Sequence, residues 1–191
     1  MQKNLPKVFL FVDDYDFSIL TSLNKNIDII YRNYQEKFNR NTLHKLKKFC
    51  QKSNRKFYIA NNIKLAIQLN ADGVYIPSFN KNLNFSNINT YKKFHLIGSA
   101  HSKQEIAIKN SQNCKLIFLA PLFNNPKNKR KLNIIKFNLA TLNEKRRIIA
   151  LGGINQKNFN KVYLTKSIGI AGIRWIKKNG LRKNLRPFLK S

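Results

Sequence analysis

The run KFYIANNIKLAIQLNADGVYIP, residues 56–77, decides how this chain is read. It opens on a short β-branched and aromatic segment, KFYIA (56–60), and closes on a second one, GVYIP (73–77). Between them, Ile63, Ala66, Ile67 and Leu69 fall along one face at helical spacing. Neither apolar segment alternates with polar residues, so both of its faces must be covered, as in a parallel sheet flanked by helices.

The same unit recurs along the chain. Further candidate strands are VFLFV (8–12), DIIYR (28–32), HLIGSA (95–100), KLIFLAP (115–121), IIALGG (148–153) and IGIAGI (168–173), which with the first two make eight. Helices are expected from Asn41 through Leu43, Leu46 and Phe49-Cys50, from Asn61 to Leu69, and from Asn155 to Leu164. One more is expected in the tail, Leu181 to Leu189, and Ser102 with Glu105 forms a capping box ahead of Ile106 and Ile108. Eight β-then-α units predict an α/β fold, a single (β/α)8 TIM barrel occupying residues 1–191 as one domain. The rival, a doubly wound open sheet, lacks a G-x-G-x-x-G after the first strand. Asp72, one of only eight acidic residues, stands before its strand and is expected to cap a turn at the end of the barrel away from the mouth.

Lys and Arg number 37, giving a formal charge of +29. Such a field attracts polyanions. However, Lys (28), Asn (28), Ile (22) and Phe (14) make up nearly half the chain, and all have A/T-rich codons, so a biased genome would give the same drift. Cys50 and Cys114 lack metal or redox spacing and read as reduced, buried thiols. The N-terminal apolar run ends at Asp13, and nothing approaches the roughly 18 apolar residues of a membrane helix. A soluble cytoplasmic protein with no membrane partner is expected.

In a barrel, ligands sit where the strands end. ALGGIN (150–155) places Gly152 and Gly153 at a strand terminus, where the backbone can approach a phosphate and a following helix can face it. Arg174 follows the last strand and suits bidentate phosphate contact. The loop PLFNNPKNKRK (121–131) is basic and Asn-rich, but without interleaved aromatics it does not read as a nucleic-acid site. His101 is placed for proton transfer or merely to begin a helix. Carboxylates, which Mg²⁺ prefers, are nearly absent from the mouth.

ANNIKLAIQLNADGVYIPS (60–78), IGSAHSKQE (97–105), LAPLF (119–123) and IIALGGIN with GIAGI (148–155, 169–173) together resemble the thiamine phosphate synthase/TenI superfamily, over about residues 8–176. The resemblance implies a small (β/α)8 barrel that condenses hydroxymethylpyrimidine diphosphate with thiazole phosphate, releasing pyrophosphate by a dissociative route with Mg²⁺. It also implies roles for individual residues. Arg32 is what remains of Gln-x-Arg-x-Lys after strand 2, whose other positions hold Ile30 and Tyr34. Asn61 and Asn80 fall where the family has its two metal-binding Asp residues. The Thr-x-Thr-Lys loop falls on Asn125, Lys127 and Asn128, or slipped by one onto Lys129. Gly152 and Gly153 match without change, and Arg174 stands near the phosphate-binding Ser.

His101 and Lys127 are then the expected catalytic groups. Arg32, Asn61, Asn80, Asn125, Lys129, Gly152, Gly153 and Arg174 are the expected substrate contacts, with phosphorylated thiazole and pyrimidine as partners. Mg²⁺ is the cofactor the family implies, with Asn61 and Asn80 as the matched positions. The thiazole tautomerase branch carries a His where this chain has Pro121. Two alternatives stay open: a TenI-like protein that binds a phosphate ligand in salvage or regulation without turnover, and a basic nucleic-acid-binding barrel, which is the less expected. A homo-oligomer is also left open.

Overall fold

The protein is described from a computed structural model covering residues 7–34, 38–84, 94–124 and 131–178. Eight parallel strands close into a barrel in sequence order, β8 pairing back onto β1. The strands are β1 Lys7–Val12, β2 Ile27–Tyr31, β3 Phe57–Ala60, β4 Gly73–Ile76, β5 His95–Ala100, β6 Leu116–Leu119, β7 Arg147–Leu151 and β8 Gly169–Gly172. The helices are α1 Phe17–Ser22, α2 Arg40–Lys52, α3 Ile63–Gln68, α4 Lys103–Ser111, α5 Asn133–Ala140 and α6 Arg174–Lys178.

Alternate strand residues point inward, and this chain fills the interior with rings. Phe9, Phe11, Tyr58, Tyr75 and Phe118 are all buried there. Phe118 meets Phe9, Phe11 and Tyr75 edge-on, with centroids 5.0, 6.2 and 5.5 Å away. Edge-to-face contact sets the positive rim of one ring against the negative face of another, which favours this packing over parallel stacking. The intervening residues, Leu10, Val12, Ile29, Ile59, Val74 and Ile76 among them, face outward and form the second core with Leu20, Leu43, Leu46, Ala66 and Ile106 of the helices. Hence each strand reads as an unbroken apolar run.

The expected helix over 41–50 forms with Leu43, Leu46 and Cys50 buried, and Asn39 caps it through a bond from the Thr42 N–H. Ser102 caps α4 by accepting from the Glu105 N–H at 3.2 Å. The Glu105 carboxylate returns to the His101 N–H at 2.7 Å, one residue earlier than a capping box would place it. One expectation changes, and three elements are new. Residues 155–164 do not form an α-helix: a turn at Asn155–Asn158 leads into a 3₁₀ segment, Phe159–Leu164, that buries Phe159 and Val162. And α1, α5 and α6 had no clear periodic signal, being short or carrying exposed apolar residues such as Phe17, Ile135 and Leu139. The tail helix expected over 181–189 lies outside the described residues.

Asp72 closes the lower rim as its position suggested. Its Oδ2 accepts from the Phe57 N–H at 2.9 Å, its own N–H donates to the Phe57 carbonyl, and its carbonyl accepts from His95. Asp28 does the same one strand earlier, accepting from the Lys56 N–H at 3.0 Å. Burial raises its pKa above the usual carboxylate range. Also in this region, the buried Arg55 guanidinium donates to the carbonyls of Asn24, Ile27 and Leu23. Cys50 and Cys114 are free and buried, and burial pushes both thiols up to about 12, so neither is a nucleophile at neutral pH. No helix among the described residues is long and apolar enough to cross a membrane.

Candidate functional site

The mouth is built from the segments that follow the strands. After β2, the Arg32 N–H is held by the Val12 carbonyl at 2.7 Å, and its guanidinium lies 4.9 Å from the centre of the Phe11 ring. Arg32 therefore caps the aromatic interior with a half-buried cation whose orientation the ring face helps to fix. Beside it, Tyr34 and Phe79, from the β2 and β4 loops, meet edge to face at 5.5 Å. Both rings are largely exposed. Partial desolvation of the phenol at this rim raises the Tyr34 pKa, with the Arg32 charge opposing the shift.

After β3, Asn61 adopts φ +56° and donates its N–H to the Tyr75 carbonyl at 2.8 Å. Asn is among the few residues that accept this left-handed conformation readily. After β4, Asn80 donates its Nδ2 to Asn61 Oδ1 at 2.7 Å, so the two positions matched to metal ligands are brought together. The oxygen Asn80 Oδ1 is occupied by the Asn82 N–H at 3.0 Å. Beneath this loop lies Lys109 of α4, fully buried. Its ammonium donates to the carbonyls of Pro77 and Asn80 and to Gln112 Oε1, each at 2.8 Å. The Gln112 amide adds bonds to the carbonyls of Asn80 at 3.0 Å and Asn82 at 2.7 Å. Desolvation lowers the Lys109 pKa to about 8.

These residues do not fit Mg²⁺. The ion prefers charged oxygen ligands. Here both amide oxygens already accept hydrogen bonds. Among the described residues no three His, Cys, Asp or Glu side chains gather into a possible metal site.

After β5, His101 is exposed, and its Nδ1 lies 2.9 Å from the Ala120 carbonyl. A carbonyl can only accept, so Nδ1 carries a proton, and the tautomer this selects for a neutral ring has its lone pair on Nε2. After β7, Gly152 and Gly153 have φ +91° and +71°. A Cβ on Gly153 would stand 2.3 Å from the Phe123 carbonyl oxygen, and one on Gly152 would stand 2.9 Å from Pro121. The β6 and β7 loops are thus sewn together, with the N–H groups of Leu122 and Phe123 donating to the carbonyls of Leu151 and Gly152. Close approach alone already requires both glycines. The helix end expected to face a phosphate from here is replaced by a side-chain cap. Asn158 Oδ1 takes the Asn155 N–H at 2.8 Å, and Asn158 Nδ2 donates to the Gly153 carbonyl at 2.8 Å.

Arg174 begins α6 directly after β8, and its side chain lies outside what is described. Asn125, Lys127 and Lys129 also lie outside the described residues. Sequence reading missed Tyr34 and Phe79 as a pair, and it missed Lys109 with Gln112. The signal for the lysine was available: Lys109 stands three residues after buried Ile106, where an apolar residue would continue the α4 stripe.

Comparison with known proteins places this arrangement in context. A family model described as thiamine monophosphate synthase matches residues 21–176. A thiamine-phosphate synthase of Flavobacterium psychrophilum is 29% identical over 135 residues, covering 66% of this chain and 65% of that protein. One from Prochlorococcus marinus is 30% identical over 150 residues, covering 76% of this chain and 41% of that protein. The matched segment therefore spans less than two thirds of the length of either curated relative. Among solved structures, a thiamine phosphate pyrophosphorylase from Pyrococcus furiosus superposes with a TM-score of 0.71 over 93% of both chains, at 16% identity. The N-(5'-phosphoribosyl)anthranilate isomerase of that organism gives 0.63 over 95% of this chain and 93% of its own, at 12% identity. At such identities these likenesses show the barrel fold alone.

Proposed function

The chain belongs to the thiamine monophosphate synthase family, and from that premise we propose that its mouth condenses hydroxymethylpyrimidine diphosphate with thiazole phosphate in thiamine biosynthesis, in the cytoplasm. The observation that carries this reading is the extent of the family match, which takes in the ends of β2 through β8.

The bond from the pyrimidine methylene to the diphosphate oxygen breaks, the thiazole nitrogen forms the new carbon–nitrogen bond, and pyrophosphate leaves. Charge builds on the departing diphosphate, so fixed cations and N–H donors around it lower the barrier. Arg32 meets that group bidentately, with Asn125, Lys127 and Lys129 from the β6 loop. The amide N–H groups of Asn61 and Asn80 add donors. Tyr34 and Phe79 offer ring edges to the pyrimidine. The Gly152–Gly153 turn and Arg174 receive the thiazole phosphate. His101, with Nε2 open, exchanges a proton with the leaving pyrophosphate.

A coupled assay with both phosphorylated precursors, with and without Mg²⁺, tests this reading. Formation of thiamine phosphate and pyrophosphate is expected. Absence of turnover together with no calorimetric binding of either precursor overturns it. The closed Asn61–Asn80 contact favours a second reading, a barrel that binds a phosphorylated ligand in salvage or regulation without turnover. Binding without product would select that one.

A further inference from the structure

We infer that the Asn61–Asn80 hydrogen bond stands in the place of a divalent cation, so that this site takes its phosphorylated ligand with no metal between protein and anion. The inference rests on the proposed reading for the identity of the ligand, and on geometry for the rest.

Two carboxylates brought this close repel each other, and a cation between them would offset that repulsion. Two amides attract instead. Their orientation is set by the backbone: Asn82 N–H can only donate, so the Asn80 atom facing it is Oδ1. Asn80 Nδ2 is thereby turned toward Asn61, whose oxygen receives it at 2.7 Å. Each amide oxygen then already accepts a hydrogen bond and carries no charge, while the remaining N–H hydrogens of the pair are donors suited to phosphate oxygens and unsuited to a cation.

The support beneath repeats the logic. The loop that carries Asn80 is fixed from below by a buried ammonium, Lys109, bonded to its carbonyls at Pro77 and Asn80. Gln112 ties the carbonyls of Asn80 and Asn82. A positive charge lodged under this loop opposes a second cation above it and favours an anion. Lys109 and Gln112 are positioning residues in this arrangement. They act through Asn80 and do not reach the ligand.

The test is thermal denaturation of the full chain in EDTA and in excess Mg²⁺, with and without inorganic pyrophosphate as the probe. For the wild type, Mg²⁺ alone is expected to leave the melting temperature unmoved, and pyrophosphate is expected to protect as well in EDTA as in Mg²⁺. The variant carrying both Asn61→Asp and Asn80→Asp is expected to melt lower than wild type in EDTA and to recover in Mg²⁺, with an affinity for the ion at least roughly ten-fold above wild type's. Should that variant not fold, Asn61→Asp alone keeps an acceptor for Asn80 Nδ2 and is expected to gain a smaller Mg²⁺ response.

Protection of the wild type by pyrophosphate only when Mg²⁺ is present overturns the inference. So does stabilisation of the wild type by Mg²⁺ alone, or indifference of the carboxylate variants to the ion. If pyrophosphate protects under neither condition, the proposed function fails on that arm, while the Mg²⁺ response of the carboxylate variants still decides the inference.

Discussion

The mouth of this barrel has two halves made of different materials. On the β6–β7 side the contacts are backbone against backbone: Gly152 and Gly153 lie at positive φ within touching distance of Pro121 and the Phe123 carbonyl. On the β3–β4 side the contacts are between side chains: Asn61 with Asn80, Tyr34 with Phe79. By the resemblance read from the sequence, Gly152 and Gly153 in the first half are unchanged, while Asn61, Asn80 and Tyr34 in the second stand where carboxylates and a Lys are expected. A surface that excludes every Cβ tolerates only glycine, whereas a surface of side chains can be rebuilt one residue at a time while the chain path is kept.

The largest expected effect comes from breaking the backbone half. Gly153→Ala sets a Cβ 2.3 Å from the Phe123 oxygen at φ +71°. Strain and overpacking together are expected to cost roughly 4 kcal/mol, seen as a melting temperature lower by about 10 °C. An alanine here that melts with wild type would show that the β6 loop yields, and that the contrast between the halves is not one of rigidity.

Next in size is the support of the side-chain half. The Lys109 amine is pushed down to about 8 by desolvation, with Glu105 and the Cys114 thiol opposing that shift. Between about 8 and the ordinary 10.5, the unfolded chain holds a proton that the folded chain has released. Stability therefore rises with pH through that window, by on the order of 3 kcal/mol, and is flat on this account below it. Urea midpoints against pH, wild type minus Lys109→Met, are expected to show that rise, since the variant lacks the group. A difference with no slope would mean that the ammonium is solvated, and the loop not locked from below.

Smaller effects separate roles within the rebuilt half. Tyr34→Ala is expected to weaken calorimetric binding of the pyrimidine precursor by about five-fold, with thiazole phosphate unaffected. Equal loss for both ligands would assign the ring pair to the fold. The least effect is expected from Asn61→Asp, which keeps the acceptor for Asn80 and should stay within about 0.5 kcal/mol of wild type by chemical denaturation.

The barrel was legible because unbroken apolar strands with buried faces leave a readable trace: KFYIA and GVYIP name their own burial. Short elements such as α5 were not legible, since Ile135 and Leu139 stay exposed and the helical stripe never separates from its polar face. The site was legible to the extent that it is local. Asn61, Asn80 and His101 could be placed at strand ends from their positions alone. Their partnership could not, because the Asn80–Asn61 bond and the Lys109 tripod join residues far apart in the chain and depend on how the β4 loop turns down over α4. The expected helix after Gly153 failed for a related reason. Asn158 caps the turn with its own side chain and delays the helical segment to Phe159.

The acidic residues carry one more consequence. Asp14, Asp16, Asp28, Asp72, Glu105 and Glu144 each accept a hydrogen bond from a backbone N–H. The buried cations Arg55 and Lys109 answer backbone carbonyls in the same way. Among the described residues, the ion pair between opposite charges is Lys177 with Asp13, out at the surface at 3.5 Å. Among the described residues the acidic groups and the buried cations therefore bond mainly to the main chain, and close ion pairs between them are few. Dissolved salt then has few close ion pairs to weaken among the described residues and a net charge of +29 to screen, so its expected main action on this fold is toward the compact state.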